Sequence, residues 1–264
     1  MFTSPSPILF TLFGVNIYYY GVIMAIAISV GVLISDWIGC KYFELKKDTI
    51  IDLAPYLIIF GIIGARLYYC TLNYDFYLRF PTEIIALRHG GISIHGAILG
   101  GLIGLFIFAK RHKLSFRKLT DVTAIGLPLA QAIGRWGNFF NSEAFGAPTN
   151  LPWKLYIAPQ YRPIPYQDYN YFHPTFLYES ILDVIIFIIL LCLVKSNKIK
   201  NNGNIALIYL ILYSIVRILV ESLRLDSTKF LFGMPIAISV SVGIIILATI
   251  ILFVLNRNNI KKED

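Results

Sequence analysis

Residues 234–255 read MPIAISVSVGIIILATIILFVL, a run of 22 residues without a charged side chain. As a helix rising about 1.5 Å per residue, it spans the roughly 30 Å hydrocarbon core of a bilayer. Working back along the chain, comparable runs fall at about 17–38, 50–72, 92–109, 121–140, 174–194 and 204–222. The runs at 92–109 and 121–140 are interrupted by glycine and polar residues, which blurs their ends. The whole chain of 264 residues agrees, being 57% hydrophobic and 14% charged with a mean hydropathy of +0.68. Soluble domains carry roughly a quarter charged residues, enough to cover a water-facing surface. The expectation is therefore an all-α integral membrane protein with about seven transmembrane helices, forming one domain over residues 1–264.

The links between the runs give a direction. The links at 41–47, 110–118 and 195–200 and the tail at 257–262 hold fourteen Lys and Arg, whereas the alternate links hold six. Basic residues accumulate on the cytoplasmic side, so the N-terminus is expected outside and the C-terminus in the cytoplasm. The same distribution accounts for the net charge of +8 and pI near 9.3. Nucleic-acid binding would need those charges gathered on one polar face, and no nucleic-acid partner is expected. The longest link, about 141–173, falls outside and is rich in Pro, Tyr and Asn. Its tyrosines, Tyr156, Tyr161, Tyr166, Tyr169 and Tyr171, suit an interfacial aromatic belt or a cap facing a substrate. Cys40, Cys70 and Cys192 are isolated and odd in number, which fits neither a disulfide framework nor a metal pattern. The stretch from Met1 to Pro5 lacks a basic n-region and a cleavage site, so no removable signal peptide is expected. Gly96, Gly100 and Gly104 recur every fourth residue, with Gly61 and Gly64 one turn apart, a spacing that suits close helix packing.

Three basic residues remain inside the runs: Arg66, Arg135 and Arg217. An arginine at the bilayer centre costs about 2.5–3.5 kcal/mol on insertion scales and is normally turned to a cavity or partner. With the N-terminus outside, Arg66, Arg135 and Arg217 fall toward the outer ends of their spans, as do Tyr20, His95, Glu143, Glu179 and Glu221. Snorkelling explains any one of them. It explains the set poorly, because Tyr213, Arg217 and Glu221 share a helix face at i, i+4 and i+8, and Arg135 and Asn138 do so at i, i+3. Guanidinium forks on such a face suit a phosphate or carboxylate, and one histidine suits proton transfer near neutral pH. His89 and His95 lack a third strong ligand, and no hydrolytic triad or HExxH pattern occurs, so neither metal nor cofactor is expected. His112 lies in a basic cytoplasmic link as a solvated residue.

Four motifs carry a family resemblance. His89-Gly90-Gly91-Ile92-Ser93-Ile94-His95-Gly96 resembles the HGG-x-S-x-HG stretch of prolipoprotein diacylglyceryl transferases. The stretch from Gly134 to Gly146 is similar to their GR-x-GNF-x-N-x-E-x-x-G signature, through Arg135, Gly137, Asn138, Phe139, Asn141 and Glu143. His173-Pro174-Thr175-Phe176-Leu177-Tyr178-Glu179 resembles HP-x-x-LYE, and Arg217, Glu221 and Arg224 resemble R-x-x-x-E-x-x-R, with Tyr213 one turn earlier. In order from Tyr20-Gly21 to Arg224, the resemblance covers most of the chain.

The resemblance implies transfer of the sn-1,2-diacylglyceryl group from phosphatidylglycerol to the lipobox cysteine of prolipoproteins. A thioether forms and glycerol phosphate is released, at the outer leaflet of the bacterial cytoplasmic membrane. It implies His95 as the base, or as organiser of the base, and Arg135 and Arg217 as holders of the headgroup phosphate. Tyr20, Asn138, Glu143 and Gly146 complete the implied set, with Tyr213, Glu221 and Arg224 in support; the implied partners are phosphatidylglycerol, the lipobox segment and the bilayer itself. Asp121 matches a family position at the cytoplasmic end of its span and reads as structural. Ala97, Trp136 and Phe176 depart from the family pattern without removing a charged group. The competing reading is a multipass transporter or channel with an outer-leaflet anion site. Against it, the polar residues gather at one leaflet rather than the midplane, and no pair of corresponding broken helices suggests inverted repeats. A phosphatidyl transferase of the CDP-alcohol type would show a paired-Asp metal motif, which is absent.

Overall fold

The computed structural model describes residues 2–196, 199, 201–225, 230, 231 and 233–263. Met1, Lys198, Lys200 and Lys229, which entered the reading of the links and the N-terminus, lie outside these residues. The helices are α1 (Tyr19–Tyr42), α2 (Thr49–Leu72), the short α3 (Tyr74–Arg79), α4 (Ile94–His112), α5 (Phe116–Asn141), α6 (Thr175–Lys195), α7 (Asn204–Glu221) and α8 (Ile236–Glu263). Among the described residues, six helical segments are both long and apolar enough to cross a bilayer: α1, α2, α4, α6, α7 and Ile236–Arg257 of α8. The chain is an all-α multi-pass membrane protein.

The remaining expected run, 121–140, lies within α5, which has the length to span but not the apolarity. Its exposure gives the reason. Of its 26 residues only Arg117, Leu127 and Trp136 are exposed. A helix enclosed by protein meets little lipid, so it can carry Gln131, Arg135 and Asn138 provided each finds a partner.

The chain divides into two compact units, Ser35–Val122 and Met1–Ile34 with Thr123–Asp264. In the unit Ser35–Val122, α2 and α4 pack through glycine. A Cβ on Gly104 would sit 2.7 Å from the Tyr56 carbonyl oxygen, and one on Gly64 would sit 2.9 Å from the Gly100 Cα. The four-residue glycine spacing is therefore a packing device, as the sequence suggests. At the other end of α2, the buried Asp36 carboxylate accepts from the backbone N–H of Asp48 at 3.1 Å and of Ile50 at 2.9 Å. These are among the donors that the start of a helix leaves unpaired.

In the other unit, α5, α6 and α7 are joined by buried polar contacts. Ser180 Oγ donates to the Ala132 carbonyl at 2.8 Å, and Tyr209 donates to Gln131 Oε1 at 2.9 Å. Asn204 Nδ2 donates to Asn256 Oδ1 at 2.9 Å and ties α7 to α8. The stretch 141–173 folds as a small module. Strands β1 (Phe2–Thr3), β4 (Leu155–Tyr156) and β5 (Tyr171–Phe172) form a sheet in the order β1-β4-β5, parallel then antiparallel. Between β1 and β4 in sequence come β2 (Ile8–Leu12) and β3 (Val15–Tyr18), a separate hairpin. Phe145, Leu155, Ile157, Phe172 and Phe176 form the module's apolar core. Tyr156 and Tyr171 are cross-strand partners, with Arg162 over the first ring and Lys154 over the second. Tyr161 and Tyr169 are exposed.

Candidate active site

The centre of the site is a carboxylate. Glu179, one turn into α6 and 3% exposed, meets three guanidinium groups. Arg135 Nε of α5 lies 2.5 Å from Glu179 Oε2. Arg217 Nη1 of α7 lies 3.2 Å from Oε1, and Arg224 Nη1, just past the end of α7, lies 3.6 Å from the same oxygen. The i, i+4 spacing then brings in two more acids. Asp183, one turn beyond Glu179, approaches Arg135 Nε at 3.9 Å, and Glu221, one turn beyond Arg217, meets its Nη2 at 2.6 Å. Tyr213, one turn before Arg217, accepts from Arg135 Nη2 at 3.4 Å. Three guanidinium groups thus face three carboxylates.

The two kinds of charge differ in depth. The side chains of Arg135 and Arg217 are each 21% exposed and that of Arg224 13%, against 4% for Glu179, 1% for Asp183 and 5% for Glu221. The acids are the more deeply buried, and the arginine side chains each keep an open edge. Such an edge can take an anion in a bidentate fork while the buried partners fix its direction.

The other residues implied within this unit gather at the end of α5. Asn138 Nδ2 donates to Glu143 Oε1 at 2.9 Å, and Asn141 Nδ2 reaches the same oxygen at 3.4 Å. Ser142 and Ala144, on either side of Glu143, have φ of 53° and 55°. Positive φ is uncommon without glycine and costs energy, so the backbone here is held in a special shape around that carboxylate. Tyr20 lies against α5, its ring 2.7 Å from where a Cβ on Gly137 would stand. Gly146 pairs with Arg224 in an isolated antiparallel bridge and donates its N–H to the His173 carbonyl at 2.9 Å. A Cβ there would lie 2.8 Å from the Leu223 carbonyl oxygen, so glycine permits the close approach that seats Arg224. In the HP-x-x-LYE element, the Tyr178 hydroxyl accepts from Trp153 Nε1 at 2.9 Å and lies 3.1 Å from His173 Nδ1.

His95 belongs to the unit Ser35–Val122, as the second residue of α4, exposed and with its ring 6.1 Å from that of Tyr68. The loop leading to it is fixed by Arg66, which is 5% exposed. Arg66 Nε donates to the Ile84 carbonyl at 2.9 Å, and Nη1 donates to those of Gly90 at 2.5 Å and Gly91 at 2.7 Å. Nη2 donates to the carbonyls of Glu83 and Ala86. Ser93 N–H then bonds the Ala65 carbonyl at 3.1 Å, stitching the loop to α2 beside Arg66. His89 pairs with Glu83 at 2.7 Å. Arg66 therefore differs from Arg135 and Arg217, with which its place in a span had grouped it.

The structure brings together Arg135, Arg217, Arg224, Glu221 and Tyr213 with Glu179, which the sequence places at the same level without a particular role, and it adds Asp183. A signal was present. Two acids four residues apart in an otherwise apolar run require cationic partners.

Comparison with known proteins matches the chain to one family. The family described as prolipoprotein diacylglyceryl transferase matches residues 7–254. A phosphatidylglycerol–prolipoprotein diacylglyceryl transferase of Synechocystis sp. is 44% identical over 97% of this chain and 93% of its own. Proteins of that same name from Acaryochloris marina and Trichormus variabilis are 47% and 45% identical, each over 86% of this chain and 82% of its own. The motifs that carry the resemblance supply the arginine cluster, the Asn138–Glu143 pair and the loop before His95, and the match runs across both units. The chain belongs to the prolipoprotein diacylglyceryl transferase family.

Proposed function

We propose that this protein transfers the sn-1,2-diacylglyceryl group of phosphatidylglycerol to the lipobox cysteine thiol of a prolipoprotein, the first step of bacterial lipoprotein maturation. The cysteine sulfur, as thiolate, attacks the glyceryl carbon that bears the phosphate ester. A C–S bond forms as the C–O bond breaks, and the bonding electrons leave with the phosphate oxygen as glycerol phosphate. The thiol proton goes to His95 or to a group that His95 organises.

The observation carrying this reading is the set of three part-exposed arginine side chains on one buried carboxylate within a membrane protein. Charge grows on the leaving phosphate in the transition state, where one fixed donor is worth about 2.7–4 kcal/mol. Arg135 and Arg217 hold that phosphate, with Arg224, Glu221 and Tyr213 in support. Tyr20, Asn138, Glu143 and Gly146 shape the approach at the end of α5.

The seven-span arrangement counts α5 as a span and sets the N-terminus outside the bacterial cytoplasmic membrane. The whole chain then acts as one transmembrane catalytic domain, with 141–173 outside and the arginines level with outer-leaflet headgroups. The excess of Lys and Arg on alternate links supports this direction.

The test is an assay with phosphatidylglycerol and a lipobox peptide, comparing wild type with His95→Ala and Arg135→Ala. Thioether product from wild type and its loss in both variants is expected. Undiminished product in both would remove the mechanism, and anion transport without lipidation would remove the function.

A further inference from the structure

Glu179 has no role in the reaction proposed above, yet it lies within 3.6 Å of three guanidinium groups from two helices and the turn that follows one of them. At 3% exposure, beneath arginines that are themselves more open, it is badly placed to touch a substrate. Its effect must pass through the arginines.

The reaction sets those arginines two unlike tasks. The phosphodiester of phosphatidylglycerol carries one negative charge. The phosphomonoester that leaves carries up to two near neutral pH, since a second proton is lost near pH 6. Three unopposed guanidinium groups in a low-dielectric site would hold the dianion more tightly than the monoanion. Product would then accumulate on the site, and release would limit turnover. A carboxylate shared among the three weakens their pull on any anion, and weakens it most for the more highly charged one. The same contacts aim the three forks at one region.

We propose that Glu179 is the internal counter-ion of the arginine trio, aligning the three groups while keeping their hold on the phosphomonoester weak enough for release. It is a positioning residue, and the inference rests on the transferase reading above. Asp183, at 3.9 Å from Arg135 and from neither of the other two arginines at ion-pair distance, has the same sign of effect and a smaller size.

The test uses the full chain in lipid nanodiscs with phosphatidylglycerol and a lipobox peptide, with added glycerol phosphate as the inhibitor. In Glu179→Gln, inhibition by glycerol phosphate should become about tenfold tighter and steady-state kcat should fall. The first turnover should survive as a burst of thioether product. Asp183→Asn should tighten inhibition by a smaller factor. Should Glu179→Gln fail to fold, Glu179→Asp keeps the charge but draws it back, and it should tighten inhibition to an intermediate degree. A purely structural Glu179 predicts the reverse: weaker or unchanged inhibition, and a first turnover slowed as much as the steady state. That result, in either Glu179 variant, overturns the proposal. Absence of thioether product from wild type would instead overturn the transferase reading itself.

Discussion

Arg66 and Arg135 are both arginines in long membrane helices, and their surroundings assign them opposite work. Arg66 is 5% exposed, and its donors end on the carbonyls of Glu83, Ile84, Ala86, Gly90 and Gly91. These acceptors are neutral backbone groups of a single loop, and buried backbone needs such partners. Arg135 instead meets Glu179, Asp183 and Tyr213, and its side chain is 21% exposed. One arginine is consumed in holding the chain's shape. The other is held by charges from beneath and keeps an edge free for something that arrives. An intramembrane cation is therefore a sign of function only after its acceptors are known.

That contrast can be broken by experiment. The largest effect is expected at Arg135→Lys, which keeps the charge but loses the fork. Thioether formation should fall by about a hundredfold or more, with thermal stability close to wild type. Equal activity in this variant would show that the open edge is unused. At Arg66→Ala the order reverses. Five carbonyls lose a charged donor, so stability should fall by roughly 3 kcal/mol, read as a lower melting temperature and as proteolysis between residues 83 and 91. If Arg66→Ala instead kept its stability and lost only turnover, the division between the two arginines would fail.

Two glycines carry the same contrast into the backbone. A Cβ on Gly91 would stand 2.6 Å from Arg66 Nη1, at a φ of +76° that disfavours any side chain. A Cβ on Gly146 would stand 2.8 Å from the Leu223 carbonyl oxygen beside Arg224. Each change to alanine should cost about 1–3 kcal/mol by overpacking. Gly91→Ala should expose the loop to protease, whereas Gly146→Ala should lower turnover at a given folded fraction. The smallest effect is expected at Tyr213→Phe. It removes one acceptor at 3.4 Å from Arg135 Nη2, worth about 0.5–1.5 kcal/mol, so turnover should drop only severalfold.

Much of the site was legible in the chain. The i, i+4 and i+8 spacing placed Tyr213, Arg217 and Glu221 on one face, and all three reach the cluster. The Arg135–Asn138 spacing pointed to α5, and both residues are engaged there. The departures at Trp136 and Phe176 were legible only as substitutions. In the structure their rings lie 5.4 Å apart edge to face, with Phe139 5.1 Å from Phe176, so the two changes pack against each other. The stretch 141–173 reads as a link because its strands are two residues long, too short for any alternation to register. Its core is made by residues far apart in sequence, from Phe145 to Phe176.

That this chain lives in a membrane follows from its residues alone, because an uncharged run of bilayer length has no other stable environment in quantity. Which residue types occupy the helix faces follows in the same way, because the helical period is fixed by backbone geometry. Which acid each arginine meets is set by how the helices pack. Glu179 is 38 residues from Arg217 in sequence and touches it across two helices, while Arg66 binds the carbonyls of a loop. The cost of burying a charge requires that a partner exist. It does not name the partner, because the spacing along one helix carries no information about which neighbour packs beside it.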